Sequence, residues 1–253
     1  MESDTATTRD GARHPSPPLV VLAVAYTAVF LASLVLTALL TAGEHFPSPF
    51  ASSTSSFEFF ARHSLAVRWS GFLRLGAAVP LGLFTATVAS RLHFLGVRAA
   101  GVTIGLFGGI AAAIFLALSA AMQWTLSWPD VLAAAGLARA LQLLAFAAGG
   151  PAHVMALGIL LAGVSVTGGL HRLLPRWMMA SGLVLAAMAE LSWLCLVLPP
   201  ASYLLPLARF PGFAWLIVAG ALLPSRRKGA RASSPRPDAA LAMPAGFAAK
   251  QGI

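Results

Sequence analysis

The sequence predicts an all-α protein, a polytopic transmembrane bundle of six spans with both termini on the cytoplasmic side. Three observations carry this expectation. Six apolar stretches of roughly membrane-spanning length run between Leu19 and Leu223. Hydrophobic residues make up 58% of the chain against 10% charged, more apolar surface than a water-soluble protein can cover. The basic residues fall in short links and in the C-terminal tail rather than on one face, as orientation signals do, so the net charge of +9 predicts no nucleic-acid binding.

In chain order, residues 1–18 form a polar arm expected to be disordered, and residues 19–223 form the transmembrane domain. Its spans are predicted at about 19–42, 65–89, 99–122, 137–166, 177–198 and 203–223. The first span follows a mixed-charge arm with Glu2, Asp4 and Asp10, and its apolar core exceeds a usual signal-peptide core, which predicts a retained anchor. An outer loop, 43–64, opens with Glu44-His45-Phe46-Pro47 and passes through a Ser-rich stretch. It ends with Phe57, Phe59 and Phe60 around Glu58 and Arg62, a pattern for a short helix lying in the interface. The tail, 224–253, is rich in Pro, Ala, Ser and Arg, lacks an apolar period and is expected to be disordered and cytoplasmic. Its Arg226-Arg227-Lys228 cluster is predicted to hold anionic lipid headgroups, each charge contributing about 1 kcal/mol.

Alternating the spans places Arg9, Arg13, Arg91, Arg98, Arg172, Arg176 and the basic tail on one face. The other face receives Arg62, Arg68, Arg139 and Arg209, together with Glu44, Glu58 and Asp130. The positive-inside bias then predicts both termini in the cytoplasm and a bacterial inner (plasma) membrane location, the bacterial source resting on the abundance of Arg, Ala, Gly and Leu. Trp69, Trp124, Trp128 and Tyr203 mark the outer interface in this reading, and Trp177 the inner one.

Gly101, Gly105 and Gly109 recur every fourth residue in the third span and predict a packing stripe of nearly bare backbone, serving an internal helix or a second subunit. The links at Leu92–Arg98 and Leu170–Arg176 both read L-H-x-L-x-x-R, a pattern that fits duplication of a helix pair, although positive-inside pressure alone explains the arginines.

Polar residues inside the spans point to a site. A carboxylate at membrane depth costs about 2.5–3.5 kcal/mol, so Glu190 in span five needs a partner. Arg74 in span two lies at a similar depth, roughly 12–14 Å below the outer end, and is the expected ion-pair partner. Arg139, Arg209 and Gln142 also fall in the outer half. Gly149, Gly150 and Pro151 near the middle of span four predict a kink or break, because proline removes a helical hydrogen bond and crowds the Ala147 carbonyl. His153 follows two residues later. These residues are expected to surround an outward-opening polar pocket for an anionic or amphiphilic small molecule. The structural alternative is that Arg74 and Glu190 only fix two helices together and that His153 is a satisfied core histidine.

Nothing in the sequence identifies a catalytic residue, a metal site or a cofactor. The six histidines show no HExxH spacing, Cys195 is the sole cysteine, and no G-x-S-x-G elbow, phosphate-binding loop or dinucleotide fingerprint is present. Glu44, His45 and His63 offer at most a weak metal site, and an acid/base pair of Glu190 with His153 lacks a nucleophile.

The segments Pro80-Leu-Gly-Leu-Phe-Thr-Ala-Thr, Arg91-Leu-His-Phe-Leu-Gly-Val-Arg98, Gly149-Gly-Pro-Ala-His153 and Leu207-Ala-Arg-Phe-Pro-Gly212 resemble those of bacterial multi-pass membrane proteins grouped as a domain of unknown function. The resemblance spans about residues 43 to 224. It implies six helices and an inner-membrane location, and no activity. The functional expectation is a non-enzymatic binding or transport-like module with an outward-facing polar pocket. The alternative is an accessory membrane subunit using its glycine stripe to pack or oligomerise with itself or another membrane protein.

Overall fold

The structure, a computed structural model, describes residues 14–50 and 52–226. Among these residues, six helical segments are long and apolar enough to cross a membrane, and the chain is a multi-pass membrane protein with no strand pairing into a sheet. The first span is α1 (Leu19–Leu40). A loop helix, α2 (Ser53–Arg62), follows, started by Ser52, whose hydroxyl accepts from the Ser55 amide. Spans two and three are α3 (Ser64–Phe94) and α4 (Ala100–Thr125), and the short α5 (Pro129–Ala133) leads into span four. That span is built from α6 (Ala135–Ala147), a π turn (Ala148–Ala152) and α7 (His153–Leu170). Span five is α8 (Arg176–Leu191) with a 3-10 turn over Ser192–Leu196, and span six is α9 (Leu204–Leu222), entered through Pro199–Tyr203.

Each span packs on its predecessor, and α9 returns to α1, so the six form a closed ring. The His14 amide donates to the Ser225 carbonyl at 2.9 Å, which brings both described chain ends to one end of the bundle. Loop 43–63 and α5 occupy the other, here the loop end. Apolar side chains cover both surfaces: Tyr26, Phe84, Leu116 and Leu160 fill the interior, while Phe72, Val79, Phe107 and Ile114 point outward, as expected of helices solvated by lipid. Residues 1–13 and the tail beyond Arg226, with Arg227 and Lys228, lie outside the described residues.

Because lipid removes the hydrophobic drive between helices, close backbone approach at small residues carries much of the packing. Gly101 and Gly105 meet Gly163 of α7, where an added Cβ on Gly163 comes within 2.6 Å of the Gly105 Cα and the Gly101 carbonyl. Gly109 turns instead to Thr85 of α3. The predicted stripe thus serves two neighbours within the chain, because a four-residue repeat drifts around a helix of 3.6 residues per turn.

Two link expectations change. Helix α3 continues five residues beyond its expected end, to Phe94, and Arg91 belongs to its last turn rather than to a link. There Arg91 is buried and donates to the Ser16 hydroxyl and the Pro17 carbonyl, tying the N-terminal arm to the helix. The two L-H-x-L-x-x-R segments also fail to superpose. Both links close with an amide bonding five residues back, Val97 to Leu92 and Leu173 to Gly168, after a residue of positive φ, Gly96 and Arg172. Leu92 is therefore equivalent to Gly168 rather than to Leu170, so the shared letters fall two positions apart in the same turn.

Candidate functional site

The predicted break in span four takes the form of a single π turn around Pro151, and the two halves of the span meet different neighbours. The α7 half packs against α4, α8 and α9, whereas the α6 half packs against α4, α2 and α5. A cavity of about 220 Å³ lies at the loop end of the ring. Arg74 reaches it from α3, Ser119 and Gln123 from α4, Gln142 from α6 and Arg209 from α9, with Gly149 and Gly150 supplying backbone. Phe46, Pro47, Pro49 and Phe60 of the loop region close over it.

The loosened helix finds new partners. The Ser119 hydroxyl donates to the Ala145 carbonyl at 2.7 Å, and the Arg209 guanidinium donates to the Gly149 carbonyl. A side chain at Gly149 would strike Ser119, so glycine is required for this approach. Arg74 donates to the Ser33 hydroxyl at 3.4 Å and to the Gln123 side-chain oxygen at 3.2 Å. Both guanidinium carbons lie over the Phe30 ring, at 5.7 Å for Arg74 and 5.5 Å for Arg209. The Nε–H of Arg209 is buried and has no acceptor among the described residues.

No acidic side chain lines the cavity. The expected Arg74–Glu190 ion pair does not form: Arg74 is held by Ser33 and Gln123, and the Glu190 carboxylate lies beside Gly158 on the α7–α8 face. Ion pairs among the described residues are confined to the loop, where Glu44 meets Arg62 and His63, each at 3.1 Å. There the His63 hydrogen bond first, and then the charge of Arg62, hold the exposed Glu44 carboxyl below the ordinary glutamate range, outweighing a desolvation effect of opposite sign.

His153 is fully buried and does not line the cavity. Its Nδ1–H donates to the Ala112 carbonyl at 2.9 Å, and in the neutral ring Nε2 accepts from the Tyr26 hydroxyl at 3.3 Å, so both nitrogens are satisfied. Arg139 is also set apart, donating to Gln142 and to the Pro49 carbonyl, both at 2.9 Å. Of the predicted site residues the structure therefore brings together Arg74, Arg209, Gln142, Gly149 and Gly150, and leaves out Glu190, His153 and Arg139. Sequence reasoning missed Ser119 and Gln123. Their four-residue spacing in an apolar span, opposite Arg74 in depth, is the signal that reveals them.

Among the described residues, no three His, Cys, Asp or Glu side chains converge on a possible metal position, and Cys195 is a buried free thiol. The chemistry of the cavity is that of two cations, neutral hydrogen-bonding groups that include the Ser119 hydroxyl, and aromatic walls. No protein-family model, curated protein or solved structure matches the chain, and its functional reading rests on this geometry.

Proposed function

We propose that the protein is a non-enzymatic binding or transport-like module of a bacterial plasma membrane, whose loop-end cavity faces outward and takes a small organic anion. One observation carries the reading: Arg74 and Arg209 line one cavity and share the Phe30 ring, and no carboxylate lines that cavity with them. An arginine at membrane depth costs about 2.5–3.5 kcal/mol, and hydrogen bonds to Ser33, Gln123 and Gly149 offset only part of that for two such charges. A bound anion completes the neutralisation of the two guanidiniums. Charge distribution supports the outward orientation, since Arg91, Arg98, Arg172 and Arg176 lie at the opposite end of the bundle. The accessory-subunit alternative draws no support from the glycine stripe, because Gly101 and Gly105 already face Gly163.

The test is ligand-dependent stabilisation of the purified protein in detergent, using acetate, benzoate and phosphate against benzylamine and benzyl alcohol. At a concentration one hundred times its Kd, a ligand specific to the folded state adds about 2.7 kcal/mol. Stabilisation by anions alone, lost in the Arg74→Gln/Arg209→Gln variant, is expected. Equal stabilisation by the amine or alcohol, or an unchanged response in the double variant, overturns the reading.

A further inference from the structure

A second cavity, of about 240 Å³, lies beside the first between α2 and α6. Thr54 and Phe57 of α2 and Ala135 and Ala138 at the start of α6 line it, and Arg139 reaches its edge. Phe60 and Gln142 line both cavities, so the partition is made of side chains, not backbone. Gln142 holds its place through the Ser56 hydroxyl at 3.1 Å and Arg139 at 2.9 Å.

The two chambers differ in chemistry. The first gathers two guanidiniums, while the second is walled mainly by aromatic and methyl groups. Its one cation, Arg139, already spends two nitrogens on Gln142 and Pro49 and is poorly placed to hold a headgroup of its own. We infer that the two cavities form one bipartite site for a single-chain amphiphilic anion, with its headgroup between Arg74 and Arg209 and its alkyl tail passing Gln142 and Phe60 into the α2–α6 chamber. The inference rests on the proposed anion pocket and adds the second chamber to it. Helix α2 then acts as the outer wall of the tail site, seated by the buried rings of Phe59 and Phe60.

Such a ligand gives a chain-length signature. Each methylene buried in the apolar chamber raises affinity by up to about fourfold, until the chamber is full. The experiment measures binding of acetate, butyrate, hexanoate, octanoate and octyl phosphate to the full chain in lipid nanodiscs, with empty nanodiscs subtracted and octylamine as the control. Octanoate is expected to bind at least thirtyfold more tightly than acetate, and octylamine not to compete. Comparable affinity for octyl phosphate assigns the head site to anions in general, and its exclusion assigns it to carboxylates; both support the amphiphile. Filling the second chamber with Ala135→Phe, or with Thr54→Trp should the first variant fail to fold, is expected to abolish the chain-length dependence and leave acetate binding intact. Arg139→Gln is expected to keep the dependence. If acetate and octanoate bind equally, or if both filling variants keep the dependence, the tail site is wrong while the anion pocket stands. If no anion binds, or if octylamine displaces octanoate, the pocket itself falls.

Discussion

The guanidinium of Arg209 donates to the main-chain carbonyl of Gly149, joining α9 to the π turn that bends span four. The same arginine leans on Phe30 of α1, so three helices distant in sequence converge on one charged group. The residue that makes the site electrostatically expensive is also one that donates to a carbonyl within the π turn. This coupling explains why a kink and an arginine occur at the same depth.

Glu190 provides a sharp check on the electrostatics, since it carries no hydrogen bond or ion pair to any described residue. Neutralising a partly buried carboxylate removes an insertion cost of about 2.5–3.5 kcal/mol without breaking a contact. Glu190→Gln is expected to leave stability unchanged or raised by up to about 2 kcal/mol in detergent unfolding, with anion affinity unaffected. Charge exchange, Arg74→Glu with Glu190→Arg, is expected to show additive losses and no rescue. A rescued double variant would restore the ion-pair assignment.

The α4–α7 seam predicts opposite outcomes for two glycines. At Gly163 an added methyl meets backbone atoms of Gly101 and Gly105 at 2.6 Å, and backbone cannot turn aside. Gly163→Ala is expected to cost about 2–3 kcal/mol. Gly136, in the first turn of α6, has no neighbour within 4 Å of the same added atom. Gly136→Ala is expected to gain up to about 1 kcal/mol. Thermal unfolding of both variants in one detergent decides the matter, and equal shifts would contradict the seam.

Loop closure carries a pH dependence with a definite sign. The folded-state Glu44 carboxyl titrates below its unfolded value of about 4.3, so the clasp to His63 and Arg62 is fully present above that pH and is lost as pH falls through the lower folded value. Hydrogen-exchange protection factors at the amides of Glu44, His45, Phe46, Ser48 and Phe50 are expected to fall in that acidic window. In Glu44→Gln, where this carboxylate is absent, exchange is expected to be fast already at neutral pH. An unchanged profile would remove the clasp from the account.

The spans were legible in the sequence because a stretch of about 20 apolar residues has few other solutions, and their observed ends differ from expectation by only a few residues. The break at Gly149–Pro151 was legible for a similar reason, since proline leaves the backbone no complete α-helical ladder. Pairing was not. Depth along a helix is estimated by counting residues, but the azimuth of each helix depends on which neighbours it meets, and Glu190 faces α7 rather than Arg74. His153 was misassigned to the cavity by the same limit: its partners, Tyr26 and the Ala112 carbonyl, come from two other spans, and one of them is backbone that no sequence pattern marks. The second chamber was invisible because α2 and α6 form its walls from ordinary residues, Thr54, Phe57, Ala135 and Ala138.

The ring of neighbours has a consequence for biogenesis. Since every span leans on the one synthesised just before it, much of the packing can settle hairpin by hairpin as the ribosome delivers the polypeptide. The newest helix must still find the oldest, where Gly220 meets the Leu19–Val20 backbone and Phe213 meets Tyr26 and Phe30. Arg209 arrives on that same last segment, so the second charge of the cavity enters only when the circle shuts.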